Sequence, residues 1–185
     1  MVRHLTRWAA GAALALAASA GPAQAQFLFG GTIAAGPTFN RPLSFNQGGS
    51  CALSSVGTAV FYNAFQFTVT TAGAYTFNLN STAFDPFAVL YTTFVPANGC
   101  TNAIAADDDG GGFPNSQFTA NLLTGTTYTF VATTFGNGAT GAYTGRIAGP
   151  GTVVPPTTIP EPSTYALIGT GLAGLAIARR RRRHA

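Results

Sequence analysis

The sequence predicts an all-β chain whose middle is an antiparallel β-sandwich, jelly-roll-like in its short, regularly spaced strands. Three observations predict it. Residues 58–148 alternate apolar and polar side chains with the two-residue period of a strand. The breaks between alternating runs carry turn-forming residues. The middle is rich in Gly, Thr, Asn, Ala and Phe, and the 15 Phe and 6 Tyr of the chain supply apolar area to bury. No helical period of useful length interrupts the pattern.

In chain order, Phe65, Phe67 and Val69 face one way, and Ala64, Gln66, Thr68 and Thr70 the other. Thr71-Ala72-Gly73 is a turn, after which Tyr75, Phe77 and Leu79 alternate against Thr76, Asn78 and Asn80. Further strands are expected at 87–94, 117–122, 127–133 and 142–147. The turns between them fall at Asn98-Gly99, Asp109-Gly110, Thr124-Gly125 and Gly136-Asn137-Gly138. Short strands at this spacing make a sandwich.

The sandwich is expected to occupy residues 26–148, flanked by an N-terminal signal peptide over 1–25 and a C-terminal single transmembrane helix. Arg3, His4 and Arg7 precede an apolar run, and Ala23-Gln24-Ala25 has the small-x-small form of a cleavage site that leaves Gln26 first. The apolar run is about a dozen residues, short of the roughly 20 that span a bilayer, which disfavours a permanent anchor. A Pro/Gly/Thr linker is expected over 149–159.

Residues 160–185 are read as a sorting signal: Pro160-Glu161-Pro162, an uncharged apolar helix over 164–178, then Arg179, Arg180, Arg181, Arg182 and Arg183. The helix with Ser163 rises roughly 24 Å, slightly under a hydrocarbon core of about 30 Å, and arginine stems snorkel to cover the difference. The arginines act as a membrane stop held on the cytoplasmic side, leaving the sandwich outside. This order of parts resembles the PEP-CTERM sorting signal. The resemblance implies a Gram-negative, exopolysaccharide-producing cell, recognition of Pro160, Glu161 and Pro162 by exosortase, and cutting nearby. A plain tail anchor that is never cut is the alternative.

A second resemblance lies in the middle. The succession Phe65-Gln66-Phe67-Thr68-Val69, Phe84-Asp85-Pro86, Val89-Leu90-Tyr91, Asp107-Asp108-Asp109 and Gly141-Ala142-Tyr143 is similar to the bacterial pre-peptidase C-terminal (PPC) domain. That resemblance implies a small β-sandwich with a binding or targeting role.

Charge excludes one class of partner. The chain has a pI near 9.5, yet seven of its nine basic residues sit in the two end segments and there is no lysine. Between 26 and 158, Arg41 and Arg146 stand against Asp85, Asp107, Asp108 and Asp109, a net charge of −2. Without a basic face, a nucleic-acid partner is not expected.

Cys51 and Cys100 are the only cysteines. In an exported chain an even pair points to a disulfide rather than to free or catalytic thiols. The only histidines are His4 and His184, both in the end segments. A His-assisted nucleophile is therefore absent from the middle, and the chain is not expected to be an enzyme. Asp85 with one of Asp107, Asp108 or Asp109 is the remaining carboxylate pair for glycoside hydrolysis. The same four aspartates are the candidate metal ligands, calcium suiting an all-oxygen set on the Gly-rich loop 110–112, with a solvated hairpin loop as the alternative. No other cofactor is expected.

The expected function is an exported, exosortase-processed surface or biofilm-matrix protein with a non-enzymatic ectodomain. Its expected partners are signal peptidase, exosortase, the inner membrane before processing, and exopolysaccharide. The alternative is a calcium-dependent carbohydrate-binding module, with Tyr62, Tyr91 or Tyr143 forming a sugar platform.

Overall fold

A computed structural model describes residues 24–156. The strands are β1 (Ala25–Ile33), β2 (Thr38–Phe39), β3 (Val60–Val69), β4 (Gly73–Asn80), β5 (Pro86–Tyr91), β6 (Ala103–Asp107), β7 (Ser116–Leu122), β8 (Tyr128–Thr134), β9 (Gly141–Gly149) and β10 (Val153–Val154). One sheet has the order β1-β9-β4-β7, and the other β10-β3-β8-β5-β6, with β2 also on β3. The eight longer strands therefore wind as a jelly roll, each connection crossing between sheets except the β5–β6 hairpin.

Alternation explains the core. Tyr75, Phe77 and Leu79 of β4 and Phe118, Ala120 and Leu122 of β7 point inward to meet Phe67, Leu90 and Phe130 of the opposite sheet. The second sheet is covered on its other face too. Phe87, Val89 and Tyr91 alternate away from Ala88 and Leu90 and join Phe39, Val60, Ala106 and Val131 in a second cluster. All six residues of β5 are consequently buried, so this strand reads as an apolar run rather than as an alternation.

The cover is an arm formed by residues 40–57. Leu43 N donates to Ala52 O, and Phe45 exchanges both backbone hydrogen bonds with Ala106 of β6 at 2.9 Å. The expected disulfide is present: Cys51 and Cys100 are bonded, with Cα atoms 5.6 Å apart, and pin the arm to the β5–β6 connection.

Strands at β3, β4, β5, β7, β8 and β9 lie where the alternation places them, although β5 stops at Tyr91 rather than 94. β1, β2, β6 and β10 lie where no strand was expected. Within the stretch 149–159 expected to be a linker, Gly149 closes β9 and Val153–Val154 pair with Val69 and Thr68, while residues 157–159 lie outside the described residues. The buried Tyr75 hydroxyl fastens this stretch, accepting from Gly151 N at 3.0 Å and donating to Thr71 O at 2.7 Å. The signal peptide over 1–25 falls, but for its last two residues, outside the described residues. So do the helix at 164–178, Pro160-Glu161-Pro162 and the arginines from Arg179 to Arg183.

Candidate functional site

Antiparallel pairing gathers most of the acidic residues at one end of the second sheet. Asp85 immediately precedes β5, and Asp108 and Asp109 immediately follow β6, whose last residue Asp107 pairs with Ala88. One carboxylate oxygen from each of Asp85, Asp108 and Asp109 lies within 4.8 Å of the others. The inward Oδ1 atoms of Asp85 and Asp108 are sealed from solvent and have no hydrogen-bond donor. Burial and the neighbouring carboxylates push the Asp108 carboxyl up to about 6. Asp85 is raised for the same reasons, burial first and then Asp109, with Arg41 opposing.

Asp107 stands apart from this cluster. Its Oδ2 accepts from Gly110 N at 2.7 Å and Gln117 N at 2.8 Å, closing the loop that leads into β7. Gly110 has to be glycine there, since a Cβ would run into Gln117 O. The four aspartates expected to act together thus divide into a three-carboxylate cluster and one loop staple.

Arg41 supplies the cluster's counter-charge from beneath. It is 1% exposed, with its guanidinium carbon 4.0 Å from the Phe87 ring centroid and 4.6 Å from that of Phe135. Burial lowers its pKa, while Asp108 and Asp85 raise it. Three crowded carboxylates against one guanidinium leave an excess of negative charge. A proton on Asp108 relieves it, and so does a hard cation with oxygen ligands.

A second feature begins beside Asp85. Residues 80–85, 113–115 and 142–144 line a groove of about 810 Å³. Next to it is a depression of about 420 Å³ that shares Asn80 and Thr144 and runs over Asn78 and Arg146 to Leu28. Together they cross the outer face of the first sheet. That face carries a polar ladder: Asn78 Nδ2 donates to Gln117 Oε1 at 2.8 Å, and the Thr76 and Thr119 hydroxyls lie 3.3 Å apart.

Of the tyrosines expected to form a sugar platform, Tyr143 alone borders the groove, and none presents an open ring there. Tyr91 is fully buried and donates to Gly99 O at 2.8 Å. Tyr62 is edge-on to Phe39 and Phe94, and Tyr143 is 7% exposed. Among the described residues the exposed aromatic is Phe113, at 80%. Its position between Gly112 and Pro114, in a turn-rich loop without alternation, is the sequence signal that an apolar residue there has no core to enter.

Beyond the described residues the chain carries an address. Residues 158–183 match the PEP-CTERM protein-sorting motif. This is a PEP-CTERM sorting tail. It contains Pro160-Glu161-Pro162 and the arginines from Arg179 to Arg183, and covers 26 of the 185 residues. A PEP-CTERM tail marks an exported protein of a Gram-negative bacterium, sorted at the membrane and processed by exosortase. No curated protein matches the chain.

Proposed function

We propose that the chain is a surface or biofilm-matrix protein whose ectodomain is not an enzyme. The PEP-CTERM tail delivers it to exosortase, which cuts near Pro160-Glu161-Pro162 and frees the sandwich for the outer surface. The PEP-CTERM match carries this reading. Three features support the absence of catalysis: no histidine or lysine between residues 26 and 158, inward carboxylate oxygens closed to solvent, and Asp107 already spent on backbone donors. The likeness to PPC domains supports a binding or targeting role. Mass spectrometry of the protein from wild-type and exosortase-deficient cells tests the reading. The expected mature form starts at Gln26 and has lost the arginines; an intact C-terminus at Ala185 in wild-type cells overturns it.

The calcium-dependent carbohydrate-binding reading is favoured by one observation, the buried, donorless Oδ1 atoms that Asp85 and Asp108 bring to a cluster of three carboxylates. A cation held there would brace the Asp85 end of the groove. The expected result is a higher melting temperature in calcium than in chelator, lost in Asp108→Asn. Equal melting temperatures in both buffers reject the calcium site.

A further inference from the structure

We propose that the groove on the outer face of the first sheet binds an acidic oligosaccharide, one sugar ring stacking on Phe113 and a sugar carboxylate pairing with Arg146. This rests on the carbohydrate-binding reading and not on its calcium. It makes Phe113, rather than any of the tyrosines considered above, the stacking ring.

The chemistry of the lining selects the ligand class. A sugar presents an apolar C–H face and a rim of hydroxyls that both donate and accept. Phe113 offers the exposed ring, while Asn78, Asn80 and Asn115 offer side chains with a donor and an acceptor each. Thr144 adds a hydroxyl on the shared floor. An extended peptide fits less well. The floor strands β4 and β9 are interior to the order β1-β9-β4-β7, so their backbone groups are already paired and offer no edge for strand addition.

Charge sets the ligand's sign and direction. Arg41 is buried, which leaves Arg146 as the one basic side chain within reach of solvent among the described residues. Its guanidinium makes a long contact, 3.4 Å, to Asn78 Oδ1. A carboxylate arriving there gains a charge-assisted partner whose planar fork matches its two oxygens. Asp85 lines the Phe113 end of the groove. A negatively charged sugar is therefore repelled from that end and drawn to the Arg146 end, which fixes the polarity of the chain in the groove.

The test uses the exported protein and two probes of equal length, a linear oligouronate and a neutral gluco-oligosaccharide, with binding followed by calorimetry. The oligouronate is expected to bind more tightly, with the preference shrinking as salt rises. Arg146→Gln is expected to weaken oligouronate binding about tenfold and leave the neutral oligomer unchanged, as loss of a charged hydrogen bond requires. Phe113→Ala is expected to weaken both, and its side chain is exposed enough that an unaltered melting temperature checks folding. Saccharide binding that neither variant changes overturns the groove while leaving a carbohydrate-binding function standing. No binding of either oligomer, or of a broader glycan array, overturns both.

Discussion

Arg41 donates from Nε to the backbone carbonyl of Phe135 at 2.9 Å. Phe135 N in turn donates to Asp85 O at 2.8 Å, so one arginine ties the arm to the end of β8 and the start of β5. Arg41 Nη1 also donates to Pro42 O at 2.9 Å. The slot is narrow: a Cβ at Gly57 would lie 2.5 Å from Arg41 Nε and 2.9 Å from Phe135 O. Arg41→Ala is expected to cost about 3 kcal/mol, from the void between two rings and the carbonyls left without a donor. Arg41→Met is expected to cost less, because it refills the slot with apolar volume. Urea denaturation of both variants tests this; equal losses would show that the charge rather than the packing matters.

Asp108 predicts stability that rises as pH falls. Its folded pKa of about 6 lies above the ordinary 3.8, so between these values the folded chain holds a proton that the unfolded chain has released. Stability is therefore fully present below about pH 4 and is lost as pH rises through about 6. Asp85 shifts in the same direction and adds to the trend. Without added metal, the denaturation midpoint is expected to be higher at pH 5 than at pH 8. Asp108→Asn is expected to flatten that difference by raising the pH 8 value. A midpoint that climbs from pH 5 to pH 8 contradicts the crowding of these carboxylates.

Where packing acts through local alternation, the fold is legible in the sequence. Phe65, Phe67, Val69, Tyr75, Phe77 and Leu79 declare β3 and β4 because each strand has one wet face. β1 hides because Gly30-Gly31 resembles a break, whereas Gly31 and Gly145 are where Tyr143 and Phe29 lay their rings. β6 hides because its Ala-rich run ends in charge, and its partners are the arm and β5 rather than solvent. The acidic cluster was half visible. The sequence offers Asp85, Asp107, Asp108 and Asp109 as one set, and only the folded chain shows that Asp107 turns away to Gly110 and Gln117. The groove needs three separate segments to meet, and no periodicity reports that.

Phe29 lies directly over Gly145 across the β1–β9 pair. Gly145→Ala would drive a methyl group into the Phe29 ring, which also packs edge-on against Phe65 and Phe130 at 4.8 and 5.2 Å. The expected cost is about 2 kcal/mol of overpacking. In the Phe29→Ala background the same change is expected to cost almost nothing, since the obstacle is gone. A double-mutant cycle measures this; additive losses would mean that β1 shifts to accommodate the methyl.

The disulfide carries the arm's attachment. Besides Cys51–Cys100 and the Arg41 contacts, the arm is held to the sandwich by the Phe45–Ala106 bridge and by the Gln47 amide, which donates to Asn121 O at 3.2 Å and accepts from Asn121 N at 2.8 Å. Opening a loop with a sequence separation of 49 releases about 4 kcal/mol of unfolded-chain entropy in the loop-closure model. Cys51→Ser with Cys100→Ser is expected to lower stability by about that amount. The loss is expected to appear first at the arm, because β5 and β8 keep their ladder without it. Hydrogen exchange at the Phe45 and Ala106 amides should then accelerate well before exchange at Val89 or Val131. Uniform acceleration across all four would show instead that the arm and the sandwich unfold as one unit, with Phe87, Val89 and Tyr91 unable to stay ordered once uncovered.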